Sequence, residues 1–245
     1  MHGSAIQELK KIIGEGLGLV EVNGKQYTFG DLSVVADRRE IKPVEVRTLT
    51  GLVDYISSGP DEPEKITPSS FMLVVHSPFE VSLVTALDPD SKMRQHVITA
   101  SYSNDVDFSY GRFLDHEDFI IRIQSQFEDT ADRAKLMQYV SRLRSDSAVE
   151  TEDDGITQRT TVAKGVSGAL VESAQMPSIV ELAPFRTFHE IKQPASKFLF
   201  RLREQSRGCP ECALFEADGG AWKNQAMLDI KAYLNEKLSD LTVVA

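Results

Sequence analysis

Residues 197–238 read KFLFRLREQSRGCPECALFEADGGAWKNQAMLDIKAYLNEKL. The opening run alternates: Phe198, Phe200 and Leu202 fall on one side of an extended chain, and Lys197, Leu199, Arg201 and Arg203 on the other. A second apolar run, CALFEA, follows a short polar stretch, so the two form an antiparallel hairpin. Gly219-Gly220 then breaks the strand pattern, and Trp222, Ala226, Ile230, Tyr233 or Leu234, and Leu238 recur at helical spacing. A hairpin under a closing amphipathic helix sets the fold class: α+β, a mostly antiparallel sheet packed against several amphipathic helices.

The same stretch holds both cysteines of the chain, Cys209 and Cys212. Three chemistries fit a C-x-x-C pair. Tetrahedral zinc needs four ligands, and no second C-x-x-C exists, so a zinc site requires His189 or a second subunit. A redox pair belongs at a helix N-terminus, where the thiol pKa falls, whereas strand-like residues follow this one. The simplest reading is two thiols in the hairpin turn, with zinc disfavoured and no cofactor expected. On the neighbouring strand, Lys197, Arg201 and Arg203 suit either a phosphate backbone or a protein partner. Against nucleic acid, the aromatic residues lie on the opposite face, and Glu216 and Asp218 are placed to pair with Arg201 and Arg203 across the hairpin.

Upstream, SFMLVVHS, FEVSLVTAL and HVITASYS are rich in β-formers and separated by short breaks at Ser77-Pro78 and 88–91, which predicts a central meander. Nearly continuous apolar positions in the first two runs predict a sheet covered on both faces. Three caps mark helices. Thr48 precedes LTGLVDYISS with Leu49, Leu52, Val53 and Ile56 inward; Asp115 precedes HEDFIIRIQSQF with Phe119, Ile120, Ile123 and Phe127 inward. Thr130 precedes ADRAKLMQYVSRLR, with Ala134, Met137 and Val140 inward, and Leu136 and Leu143 as further candidates. SDSAVETEDDG reads as an acidic loop leading to a strand, ITQRTTVAKGV. Helix, turn, helix and strand superficially resemble a winged helix-turn-helix, but the region is too acidic to approach phosphates. Near the start, residues 5–13 have helical periodicity, and Asn23-Gly24 between alternating runs predicts a tight hairpin.

The chain of 245 residues is long enough for one large core or two modest ones. We read it as a single domain, 1–245, with a possible subdivision into 1–104 and 105–245. Net charge is −10, unevenly distributed. Residues 105–155 hold 13 acidic and 6 basic residues, whereas residues 186–207 hold 6 basic and 2 acidic ones. Nucleic acid is therefore disfavoured as a partner except at that basic stretch. No apolar run reaches the roughly 18–20 residues of a membrane span, and no leader pattern opens the sequence, so a cytoplasmic protein is expected. His76 and His96 lie on predicted strands that could bring them together near Asp88 and Asp90. No P-loop, nucleophile elbow or dinucleotide fingerprint is present, and no catalytic residue is assigned.

LAPFRTFHEIKQPASKFLFRLRE followed by CALFEADGGAWKNQAMLDIKAYL resembles the end of an uncharacterised phage and prophage family that includes YfdQ. FLDHEDFIIRIQSQF and GITQRTTVAKGV resemble it more loosely, and FEADGGAW is the most specific piece. The resemblance implies a bacteriophage or prophage origin and action inside a bacterial cell. It transfers no catalytic residues. The function expected is a non-enzymatic accessory protein that self-associates and binds a host or phage protein. A nucleic-acid-handling protein and a nucleotide-binding or metal-dependent protein are the alternatives.

Overall fold

The computed structural model describes residues 19–22, 25–28, 42–60, 70–89, 92–103, 108–143, 147–153, 158–164, 178–203 and 210–245. The helix read at 5–13 lies outside them. The chain divides into two compact units, Met1–Lys42 with Leu87–Gln95, and Pro43–Ala86 with His96–Ala245. In the first, β1 (Leu19–Val22) pairs antiparallel with β2 (Lys25–Thr28). Val22 stands opposite Lys25, so the connection is the two-residue one that Asn23-Gly24 predicts.

The second unit contains a five-stranded sheet. Its centre is the expected meander: β4 (Phe71–Ser77), β5 (Glu80–Thr85) and β6 (His96–Ser101), all antiparallel. Two three-residue strands extend it. β3 (Val44–Val46) joins β6 and β12 (Thr242–Val244) joins β4, both in parallel. The sheet is therefore mixed, where the sequence reads as mostly antiparallel. Strands this short carry no alternation to detect, and parallel partners lie far apart in the chain.

Register aligns Val243, Leu73, Leu83, Ile98 and Val44 in one row across the strands. Helix α1 (Leu49–Ser58) packs against β6 and β3, and the helix Trp222–Lys237, named α4 below, packs against β4 and β12. Leu49 and Leu52 of the first and Ile230 and Leu234 of the second join Leu73, Leu83 and Ile98 in one buried cluster. In β5 the consecutive residues Val81, Ser82, Leu83 and Val84 are all buried, so both of its faces are covered, as its apolar composition predicts. The one hydroxyl among them, on Ser82, is satisfied by Thr99 Oγ1 at 2.9 Å.

A three-stranded sheet of this unit is antiparallel: β9 (Ile179–Leu182), β10 (Ser196–Arg203) and β11 (Glu211–Glu216), in the order β11-β10-β9. Helices α2 (His116–Gln126) and α3 (Ala131–Val140) cover its inner face. The three caps form as expected: Thr48 Oγ1 accepts from Gly51 N, Asp115 Oδ1 from Asp118 N and Thr130 Oγ1 from Arg133 N. Residues 147–153, read as an acidic loop, are instead strand β7 (Ser147–Asp153), paired antiparallel with β8 (Gln158–Lys164). Glu150, Glu152 and Asp153 disguised the strand, because apolar alternation is what marks a strand in a sequence.

The helix phases carry one correction. On α3, Ala134 is exposed and Met137 half-buried, while Val140 and the candidate Leu136 are buried as read, joined by Tyr139 and, just beyond the helix, by Leu143. The larger side chains take the buried positions, since burial scales with apolar area. On α4 the ambiguity resolves to Leu234, buried with Trp222, Ala226 and Ile230. No helix among the described residues is long and apolar enough to cross a membrane.

Candidate functional site

Strand β10 divides chemistry between its faces. Phe198, Phe200 and Leu202 are buried, while Lys197 and Arg203 are exposed and Leu199 and Arg201 half-buried, the expected alternation. On the inner side the phenylalanines join an aromatic cluster: Phe198 stacks on Tyr110 at 5.3 Å and meets Phe127 edge-on, and Phe200 contacts Phe119 and Tyr139. Such pairs add about 0.5–1.5 kcal/mol each beyond area burial.

Register decides what shares the outer face. Leu199 stands opposite Ile179 on one side and Phe215 on the other, giving an apolar row across the sheet. Ile179 is 48% exposed. Phe113 extends the row by meeting Phe215 edge-on at 6.2 Å. Phe113 arrives there because residues 111–114 run along β11: Gly111 N donates to Leu214 O, and Leu114 and Cys212 exchange backbone hydrogen bonds at 2.9 Å. The opposite edge is also occupied, with Asp132 Oδ2 accepting from the Glu181 amide at 3.1 Å. That amide, then Lys135, holds the Asp132 carboxyl below the usual range. With both edges engaged, the outer face is the partly exposed surface of this sheet, with Ile179 exposed, Leu199 and Phe215 half-buried and Ala213 buried.

Charged groups bracket the row. Lys197 lies opposite Glu181, and Arg203 opposite Glu211. Arg203 Nε donates to Glu211 Oε2 at 2.7 Å, its Nη2 reaches the same oxygen, and the guanidinium lies 4.3 Å from the Phe113 ring centre. Arg201 stands opposite Ala213 and donates to its neighbour's carbonyl, Phe200 O, at 3.2 Å. The expected ion pairs of Arg201 and Arg203 with Glu216 and Asp218 do not form. Glu216 is opposite Phe198, three positions from Arg201, and an odd shift in register puts it on the inner face.

Glu216 and Asp218 serve a different arginine, one that sequence reading passed over. Arg186 is 7% exposed, and its Nη1 lies 3.0 Å from Glu216 Oε1. Its Nη2 donates to Ser196 Oγ, which in turn donates to Asp218 Oδ2 at 2.6 Å. The guanidinium sits 3.9 Å from the centre of the Trp222 ring. Burial alone would raise the Asp218 carboxyl, but the Ser196 hydroxyl, the Gly220 amide, Arg186 and the Trp222 amide together hold it below the usual range. Burial pulls the Arg186 guanidinium down, and Tyr110, Glu216 and Asp218 oppose that. The motif FEADGGAW thus wraps around Arg186. Gly219 and Gly220, with φ of 62° and 80°, turn the chain from β11 into α4, and Asp218 Oδ1 accepts the Gly220 amide at 3.0 Å. No spacing rule links Arg186 to a motif 30 residues later, although a lone Arg amid apolar residues is itself a signal for a buried partner.

Cys212 is not in the hairpin turn. It lies within β11 opposite Leu202, 0% exposed in the aromatic cluster, where alternation turns it inward. Its proximity and, more strongly, burial push the Tyr139 hydroxyl up to about 12. Cys209 lies outside the described residues. His189, named as a third zinc ligand, packs against Tyr102 and Phe185. His76 and His96 do meet, their rings stacked at 5.7 Å, with both exposed. Among the described residues no group of three His, Cys, Asp or Glu side chains is arranged to hold a metal ion. Comparison with family models, with curated proteins and with solved structures finds no match to this chain.

Proposed function

We propose that this chain is a non-enzymatic bacteriophage accessory protein that works by binding proteins, a second copy of itself included, through the outer face of the three-stranded sheet. The phage assignment rests on the resemblance carried by FEADGGAW; host takeover or counter-defence is the role it suits. The binding assignment rests on the apolar row Ile179–Leu199–Phe215, extended by Phe113 and bracketed by Lys197, Arg201 and the Arg203–Glu211 pair. Aromatic and aliphatic residues ringed by arginine match the composition of interface centres.

Nucleic acid is the weaker partner for the same face. Three cations there face two carboxylates, Glu181 and Glu211, which leaves little net charge to release counterions. Sedimentation of the purified chain tests the reading. The wild type is expected to self-associate at micromolar concentration, and Leu199→Glu to weaken association at least tenfold without unfolding the protein. A wild type monomeric to 100 micromolar that also gains no salt-sensitive binding to single-stranded DNA removes both readings of this face; salt-sensitive DNA binding lost in Arg201→Ala replaces the first with the second.

A further inference from the structure

A separate cleft opens at the end of the five-stranded sheet. Strands β3 and β6 are parallel neighbours, so their carboxyl ends, Val46 and Ser101, lie side by side. The chain leaves β3 through Arg47 into α1 and leaves β6 through Tyr102 and Ser103. The carboxyl ends of parallel strands are where open sheets containing them commonly bind ligands. His189 closes it from the segment between β9 and β10, its ring 5.7 Å from that of Tyr102, which also rests on Phe188. Arg47, Tyr102, Ser103 and His189 line a cavity of about 500 Å³. That volume is in the range of small-molecule sites.

The lining chemistry is one guanidinium, one imidazole, two hydroxyls and an aromatic ring. The backbone amides opening α1 are already committed: Gly51 N to Thr48 Oγ1 at 3.0 Å and Thr50 N to Glu190 Oε1 at 2.9 Å. Glu190, the carboxylate nearest in sequence to His189, is thereby turned to the helix. Among the described residues Arg47 has no ion pair. We infer that this cleft binds a small phosphate monoester, with Arg47 as the principal cation and His189, from a separate segment, as the second donor. A phosphate presents three terminal oxygens in three directions, and so accepts from donors on separate segments at once; a carboxylate has two, in one plane. Arg matches it through two parallel N–H donors. The ester substituent is left to the 500 Å³ that one phosphate does not fill, against the Tyr102 ring.

Titration calorimetry and thermal shift on the full chain test this, with adenosine 5′-monophosphate, ribose 5-phosphate, inorganic phosphate and adenosine as probes. At least one ester is expected to bind saturably and raise the melting temperature. Adenosine is expected to do neither, and inorganic phosphate to bind at least tenfold more weakly than the better ester. A preference for the nucleotide over the sugar phosphate assigns the remaining volume to a base; equal binding assigns it to a sugar. Arg47→Gln is expected to weaken the ester at least tenfold and His189→Asn about threefold, with Arg112→Gln, an exposed cation elsewhere, unchanged. Because Arg47 and His189 are exposed, both variants are expected to keep the wild-type melting temperature without ligand. No saturable binding of either ester at 10 mM, binding indifferent to Arg47→Gln, or inorganic phosphate as tight as the esters overturns the inference.

Discussion

The five-stranded and three-stranded sheets of the larger unit use their faces differently. In the five-stranded sheet the central strand β5 is buried on both sides, with a row of aliphatic residues running from Val243 to Ile98 beneath α1 and α4. In the three-stranded sheet one face is packed with aromatic rings and the other is partly exposed, its Leu199 and Phe215 half-buried and Ile179 exposed. The first is committed to stability. The second splits its residues between stability and surface chemistry, and the division runs residue by residue along β10. Alternation makes this possible, since neighbouring side chains on a strand sit in different environments.

Substitutions that respect the split and ones that violate it separate the two roles. The largest effect is expected at the fully buried rings: Phe198→Ala should cost about 3–5 kcal/mol, and Leu83→Ala about 2–5 kcal/mol, read by denaturant titration. Loss at Phe198 equal to that of an exposed residue would mean the aromatic cluster is not a core. Next is acid sensitivity. The Asp218 carboxyl is held below its unfolded value of roughly 3.9. Its contribution is therefore fully present above that value and lost as pH falls through the folded one. Asp218→Asn is expected to melt earlier than wild type at pH 7 and to show a smaller further loss between pH 5 and pH 3. A variant with an unchanged pH profile would remove Asp218 from that role.

Smaller effects test the open face and the interior. Leu199→Glu should cost no more than about 1 kcal/mol, since the position is half-buried rather than enclosed, while altering association. A collapse of the fold there would show that the outer face is covered in the monomer. Smallest is Tyr139→Phe. The Tyr139 hydroxyl is buried with no hydrogen-bond partner among the described residues, so its removal should be neutral or slightly stabilising. A loss above about 1 kcal/mol would show that the hydroxyl is satisfied in solution.

Local features were legible because their causes are local. Thr48, Asp115 and Thr130 cap helices by binding the amide three residues on, and the stripe on α4 and alternation of β10 follow from backbone geometry. The short parallel strands β3 and β12 left no such trace, since their pairing depends on residues far away. Charge hid β7, and α3 buries Tyr139 in place of Ala134. At the candidate face, Lys197, Arg201 and Arg203 were legible as one side of a strand, whereas their partners were not.

The sequence by itself determined the α+β class, the starts of the three capped helices and the two-faced character of β10, whereas the helix read over 131–144 ends at Val140. Tertiary structure alone decided the strand register, which put Glu211 beside Arg203, turned Cys212 inward, and sent Glu216 to the buried Arg186. It also brought Arg47 and His189, 142 positions apart in number, to one cleft. The physical reason is range: caps and periodicity act within a few residues, whereas register and charge pairing are set by how whole sheets bury their apolar faces.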